Sequence, residues 1–279
     1  MPPLQARAIV LRRIPFSETS LVVSLYTREH GKLHGLAKGA RRLKSPFEGA
    51  LEILSRYQIV FLPRATEGLH LLTEAKLLDR FRPELAGLPG LFAAYYVAEL
   101  LESFTEELGA QPEVFDLAVE TLANLQRHGL PEVELLRFEL RLLRYLGHLG
   151  QFETCVHCGQ VIKADQPARL TEVAGGLACP RCWKVGAKGP ILTPEVRHWL
   201  QALSGEIPWP LRDSGEISAK HPGLHPRIYG QIRGLVSRWV CQFLGRRPRL
   251  FPYLEKFGFF STDRGELTRE QIEHPTEIQ

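Results

Sequence analysis

Four cysteines form the group of residues in this chain best suited to bind a metal. They come as two Cys-x-x-Cys pairs separated by the twenty residues 159–178: Cys155 with Cys158, and Cys179 with Cys182. A Cys-x-x-Cys turn directs two thiolates at one ion, so this spacing predicts a tetrahedral site for one zinc ion. Because four thiolates leave no open coordination position, we expect the zinc to be structural. His157 lies inside the first pair and is not needed as a ligand.

The composition favours a soluble protein of a reducing compartment. The 279 residues are 44% hydrophobic and 24% charged, which is ordinary for globular domains. No apolar run approaches the roughly 20 residues that a membrane helix needs, and the first residues lack the layout of a secretion signal. We therefore expect a cytoplasmic protein with no membrane partner, in which cysteine pairs favour zinc over the alternative of two disulfides.

The positive charge of the chain is concentrated near its start. Residues 1–82 hold 14 Lys and Arg against 7 Asp and Glu, whereas residues 83–150 hold 4 against 11. Four cations fall within residues 38–44, here called the basic loop: Lys38, Arg41, Arg42 and Lys44. Such a loop must present its charges to solvent, where they suit the phosphates of a nucleic acid. Lys32 joins this predicted DNA-binding set. Two alternatives to DNA binding stay open: the loop is solvated and has no partner, or the basic residues 1–82 and the acidic residues 83–150 simply attract each other.

The hydrophobic pattern predicts short strands first and helices afterwards. Five apolar segments separated by turn residues predict a small barrel: 5–14, 20–27, 31–38, 51–62 and 68–78. A five-stranded OB-fold fits best, with an SH3-like barrel as the alternative. The predicted fold class is multidomain α+β, with these parts: an OB-fold (1–80), a first helical part (83–150), an inserted four-cysteine zinc module (151–188), a second helical part (190–260) and a polar, disordered tail (261–279).

Other groups have a structural explanation beside a functional one. Arg137, Arg141 and Arg144 share a predicted helix face, for which an exposed, ion-paired surface is the structural explanation. An aromatic run at 251–260 is either core or a groove for a peptide. The phosphate-loop, HExxH, GxSxG and GxGxxG patterns are missing from the sequence, so no catalytic residue is assigned.

With these elements in this order, the chain resembles the RecO family of bacterial DNA repair and recombination mediators. The resemblance spans most of residues 5–255 and rests on four stretches: ARAIVLRRIPFSETSLVVSLYTREHGKLHGLAKGARRLKS, ELLRFELRLLRYLGHLGQFETCVHCG, AGGLACPRC and GLVSRWVCQFLGRRPRLFPYL. It implies an OB-fold, a helical domain and a zinc module. The four cysteines then correspond to the zinc ligands, and the segment from Lys38 to Lys44 corresponds to the family's basic segment.

The resemblance also implies a function without catalysis. Members of the family bind single- and double-stranded DNA and anneal complementary strands. Their partners are RecR, the C-terminal tail of single-stranded-DNA-binding protein and, indirectly, RecA, and they act at the nucleoid. Two other hypotheses stay open: a zinc-containing nuclease or hydrolase, and a scaffold that does not bind DNA.

Overall fold

The structure, a computed structural model, describes residues 2–42, 44–64, 68–127, 131–171, 175–183, 189–207 and 224–259. The tail at 261–279, predicted to be disordered, lies outside these residues, as does Leu43 of the basic loop.

The first part of the chain folds as a closed five-stranded barrel. Its strands are β1 (Leu4–Pro15), β2 (Leu21–Thr27), β3 (Gly31–Ala37), β4 (Arg56–Leu62) and β5 (His70–Asp79). They follow the order β1-β2-β3-β5-β4 around the barrel, and β4 closes on β1. The β3–β5 pair is parallel and the other four are antiparallel. This is the Greek-key arrangement of an OB-fold, and the predicted fold is confirmed.

Strand β1 is apolar on both faces because each face is buried in a different core. Ala6, Ala8 and Val10 point into the barrel. Ile9 and Leu11 point outward and join the core of the helices. Alternate side chains of a strand leave opposite faces, so one strand can serve both cores. The barrel is therefore packed directly onto the helical part.

The fourth strand is shorter than predicted. The sequence pattern predicts a strand from residue 51, but β4 begins at Arg56, after a short 3-10 helix at Glu48–Ala50. Leu51 and Leu54 have φ angles of 58° and 67°, which belong to the left-handed region and cannot occur within a strand. Both side chains are buried. Their hydrophobicity therefore reflects core packing in a turn, which the sequence pattern does not distinguish from a strand.

The rest of the described chain is mainly helical. It contains α1 (Pro83–Phe104), α2 (Pro112–Arg127), α3 (Pro131–Tyr145), α4 (Pro194–Ser204), α5 (Pro226–Leu244) and α6 (Phe251–Lys256). Between α3 and α4 lies a small sheet of three strands in the order β7-β6-β8: β6 (Ala168–Leu170), β7 (Leu177–Ala178) and β8 (Ile191–Leu192). Across the residues that the structure describes, no helix combines the length and the apolar character needed to span a bilayer.

A buried ion pair and a tyrosine hydroxyl join three of these helices. Arg233 of α5 donates two hydrogen bonds to the carboxylate of Glu139 on α3, at 2.6 and 2.9 Å. The hydroxyl of Tyr96 on α1 donates to the same carboxylate at 2.6 Å. Glu139 is fully buried, and Arg233 is only 3% exposed. Burial, together with the carboxylate, raises the pKa of Tyr96 well above its ordinary value, so the hydroxyl remains a donor.

The aromatic run at the end of the described chain packs on α1. Phe251 lies against Tyr96, with ring centroids 5.6 Å apart. Phe257 and Tyr253 both contact Phe92, at 5.5 and 5.4 Å. These contacts favour the core explanation over a peptide groove.

Candidate metal centre and nucleic-acid interface

The four cysteines converge on one point beside the small sheet. Their sulfur atoms all lie within 4.8 Å of one another, and the Sγ atoms of Cys158 and Cys179 are 3.9 Å apart. A tetrahedral ion with Zn–S bonds of about 2.3 Å places its sulfurs about 3.8 Å apart. The sulfurs therefore have the spacing that a four-thiolate zinc site requires.

The backbone around the cluster prepares it for a cation. Burial alone would raise the pKa of the Cys155 thiol, but backbone N–H groups of Cys179, Cys158 and His157 outweigh it and lower the pKa to about 6. The pKa of Cys182 is instead raised to about 12, chiefly by its hydrogen bonds with Cys158 and Cys179. Four adjacent thiols cannot all ionise alone, because like charges repel. A divalent cation would remove that repulsion.

Close packing brings the two cysteine pairs together. The backbone N–H of Val156 donates to the carbonyl of Leu177 at 2.8 Å, which links the first pair to strand β7. A Cβ atom at Gly176 would lie 2.1 Å from the Val156 side chain, so only glycine allows this approach. Gly159, with φ of 69°, turns the chain after the first pair.

Side chains on helix α4 and just after it attach the cysteine module to the helical part. The buried Arg197 guanidinium donates to the carbonyl oxygens of Ile162, at 2.8 Å, and Lys163. Glu206, just beyond α4, accepts from the backbone N–H of Phe152 at 3.0 Å. The module is thus attached to the helical part on both sides of its first cysteine pair.

The basic loop leaves the barrel at the end of β3. Ala40 is buried, whereas Lys38, Arg41 and Arg42 are exposed, as is Lys44 beyond them. Gly39 makes the turn with φ of 72°, and the backbone N–H of Arg41 donates to the carbonyl of Thr19 at 2.9 Å. The loop backbone is therefore held to the barrel while its four cations face solvent. No ion pair with any other described residue involves these four cations.

Lys32 lies at a different place from the basic loop. Its ammonium donates to the carbonyl oxygen of Glu102 near the end of α1, at 2.7 Å. Nearby, the Ser24 hydroxyl donates to the Glu102 carboxylate at 2.6 Å, and Arg28 pairs with Asp116 at 2.9 Å. The acidic segment 83–150 thus binds part of the basic segment 1–82, as expected if the two segments attract each other. Lys32 contributes to this junction, so its role in DNA binding stays a prediction with less structural support.

The arginine row on α3 is ion-paired. Arg137 contacts Glu134 and Glu120, at 3.2 and 3.4 Å. Arg141 also binds Glu120, at 3.0 Å, and Arg144 lies 3.4 Å from Glu206. These contacts support the structural explanation of the row. The basic loop is therefore the better candidate for binding the phosphates of DNA.

Two family models match the chain, and together they cover most of it. The model for the N-terminal part of recombination protein O matches residues 1–81, and the model for its C-terminal part matches residues 88–249. The chain belongs to the RecO family. The first match coincides with the barrel, and the second includes the four cysteines and most of the helices. The resemblance seen in the sequence is thereby confirmed.

Several proteins named DNA repair protein RecO are similar to this chain along nearly their whole length. The protein from Rhodopirellula baltica is 35% identical over 265 residues, which cover 88% of this chain and 97% of the relative. The one from Myxococcus xanthus is 31% identical over 251 residues, covering 90% and 96%. That from Desulforudis audaxviator is 30% identical over 264 residues, covering 94% and 100%. The chain is therefore a DNA repair protein of the RecO family.

Proposed function

We propose that this RecO-family protein is a mediator of DNA repair and recombination that binds DNA through its basic loop. It binds single- and double-stranded DNA and anneals complementary strands. With RecR, it assists RecA in loading onto strands that are coated by single-stranded-DNA-binding protein, whose C-terminal tail it contacts. The observation that supports this proposal most directly is a group of four exposed cations without an ion pair among the described residues, on an OB-fold.

The basic loop suits phosphates more than bases. Lysine and arginine that face solvent gain affinity by releasing the counterions of a nucleic acid, a gain independent of sequence. A mediator that acts on any gap needs this kind of binding. Because the loop backbone is held at Gly39 and Arg41 by hydrogen bonds to Ser20 and Thr19, its charges meet the strand with little loss of conformational freedom.

The cysteine cluster has a structural role in this proposal. We propose that Cys155, Cys158, Cys179 and Cys182 hold one zinc ion that stabilises the inserted module. Four thiolates complete the coordination of zinc, so no position is left for a hydrolytic water. This argument weighs against the zinc nuclease or hydrolase hypothesis.

Replacing three cations of the basic loop tests the proposal. In R41A/R42A/K44A, we expect weaker binding to every DNA sequence and slower annealing. The slope of log affinity against log salt on single strands should fall by about 2, since about 0.7 is lost for each phosphate contact. Fluorescence anisotropy with a labelled oligonucleotide across a salt series measures both quantities.

A matched control separates the loop from the net charge. The variant R127A/K163A/R227A also removes three exposed cations, from α2, the cysteine module and α5. It should keep the affinity and salt slope of the unmodified protein. Equal losses of DNA affinity in both triple variants would show that the effect comes from net charge and not from the loop. An unaltered slope in the loop variant would refute the loop as the DNA-binding site, and failure of the unmodified protein to bind or anneal DNA would favour the scaffold hypothesis.

A further inference from the structure

The outer face of β2 and β3 is divided into a covered half and an open half. On the covered half, Tyr26 stacks on Phe115 of α2. Ser24 contacts Glu102 near the end of α1, and His34 contacts Glu107 just beyond that helix. Further along the same strands, the outward side chains Val22 and Leu36 do not belong to the core that the described helices form.

An apolar row crosses this open half. Ile14 of β1 pairs with Val22 of β2, Val22 pairs with Leu36 of β3, and Leu36 pairs with Leu71 of β5. Residues paired across strands share a face of the sheet. Their immediate neighbours Leu21, Val23, Ala37 and Leu72 are in the barrel core, and the row itself belongs to neither core of the described residues. Four strands thus present a continuous apolar strip outward.

A β-bulge places Ile14 on this face. The pairing of β1 with β2 shifts by one residue between Val10 and Arg12. Beyond the shift, Arg12 lies opposite Ser24 and Ile14 lies opposite Val22, both on the outer face. Arg12 is exposed. Lys38, which is also exposed, is the first residue after β3 and lies two residues beyond Leu36. The row is therefore flanked by a cation on either side.

Phe16 extends the row toward the basic loop. It is 64% exposed, while the other four aromatic residues of the barrel, Tyr26, Phe47, Tyr57 and Phe61, are buried. Its backbone N–H donates to the carbonyl of Ser20 at 3.0 Å, which continues the β1–β2 hairpin by one pair. The Ser20 hydroxyl accepts from the backbone N–H of Gly39 at 3.4 Å. The turn that carries Phe16 is thus joined to the basic loop by hydrogen bonds.

We propose that Phe16 and the row Ile14–Val22–Leu36 bind the unpaired bases of a single strand whose phosphates lie along the basic loop. This proposal rests on the proposed function and defines its ligand more closely. Covering an exposed aromatic ring with another planar group removes apolar surface from water, which is favourable. Nucleic-acid bases stack on such rings whatever their sequence. The flanking cations select an occupant that is anionic as well as apolar, which a single strand is. A duplex stacks its bases internally and offers this row only phosphates.

Removing the ring tests the proposal. We expect F16A to bind oligothymidylate about 5- to 100-fold more weakly, because one stacked base is lost. Its affinity for a hairpin duplex should not change. The salt slope on single strands should also stay as it is, since no phosphate contact is removed. F16W should restore binding, and its indole fluorescence should respond to oligothymidylate. The measurement is anisotropy with both labelled ligands across a salt series.

The controls separate this proposal from the one on which it rests. L85A removes a comparably exposed apolar side chain from α1 and should change nothing. An abasic oligonucleotide keeps the phosphates without the bases, so it should bind F16A and the unmodified protein alike. If F16A binds oligothymidylate normally while R41A/R42A/K44A does not, the base-binding row is wrong and the basic loop stands. Equal weakening of duplex and single strand in F16A would also overturn the row. If the unmodified protein binds neither ligand, the proposed function fails first.

Discussion

Arg233→Met is expected to lower the free energy of unfolding by about 3–5 kcal/mol, because it leaves the Glu139 carboxylate buried without its cation. The carboxylate is fully inside the helical part and has two charged hydrogen bonds from Arg233. Urea unfolding followed by circular dichroism measures the change. The double variant E139L/R233M removes the charge as well as its partner, so it should recover much of the lost stability.

An exposed ion pair provides the comparison. Arg80 and Glu52 lie 2.9 Å apart on the barrel surface, and R80M should leave the unfolding midpoint almost unchanged. A loss in R233M no larger than that in R80M would show that the buried pair does not stabilise the helices. If the double variant is as unstable as R233M, the loss comes from packing and not from the unpaired charge.

Loss of zinc is the second large effect we expect. The protein purified from zinc-containing medium should hold one zinc ion per chain, measured by elemental analysis. Removing it with a chelator should lower the melting temperature by about 8 °C, since a loss of about 4 kcal/mol in stability shifts the midpoint by roughly 2 °C per kcal/mol in large domains. Protons compete with zinc for thiolates, so less chelator should be needed as the pH falls.

Two serine variants make this test specific. Cys158 is the exposed member of the cluster, so C158S removes one ligand without opening a cavity, and it should lose the bound zinc. Cys241 lies on α5, outside the cluster. Burial raises the pKa of its thiol, and C241S should keep one zinc ion. Zinc retained in C158S, or a melting temperature that is the same with and without zinc, would contradict the structural role.

The sequence predicts the barrel and the cysteine cluster because both depend on local patterns. Alternation along β1 and the spacing of the cysteine pairs are visible within a few residues. The predicted start of β4 at residue 51 was wrong. Leu51 and Leu54 are hydrophobic because they are buried in a left-handed turn, and the sequence pattern does not distinguish such a turn from a strand. Only the fold brings Glu139 to Arg233, which lies 94 residues further along the chain.

Two features of the candidate DNA interface also depend on tertiary contacts. Lys32 has the residue type of a phosphate ligand, but α1 ends beside it and offers the carbonyl of Glu102. In the sequence, Phe16 cannot be distinguished from the aromatic residues of the barrel core. Only the register shift in β1 after Val10 shows that the residues next to Phe16 belong to the outer face of the barrel. Residue type therefore indicates what a side chain can do, while packing decides whether it is free to do it.

The partnership of Glu139 with Arg233 has a consequence for folding during synthesis. All strands of the barrel lie within the first 79 residues, so the barrel can close while the ribosome is still translating the helices. Helices α1–α3 emerge next, but they cannot bury Glu139 cheaply until α5 brings its guanidinium. We expect the nascent helical part to stay loosely packed until about residue 240 has left the ribosome, a stage at which it is open to chaperones.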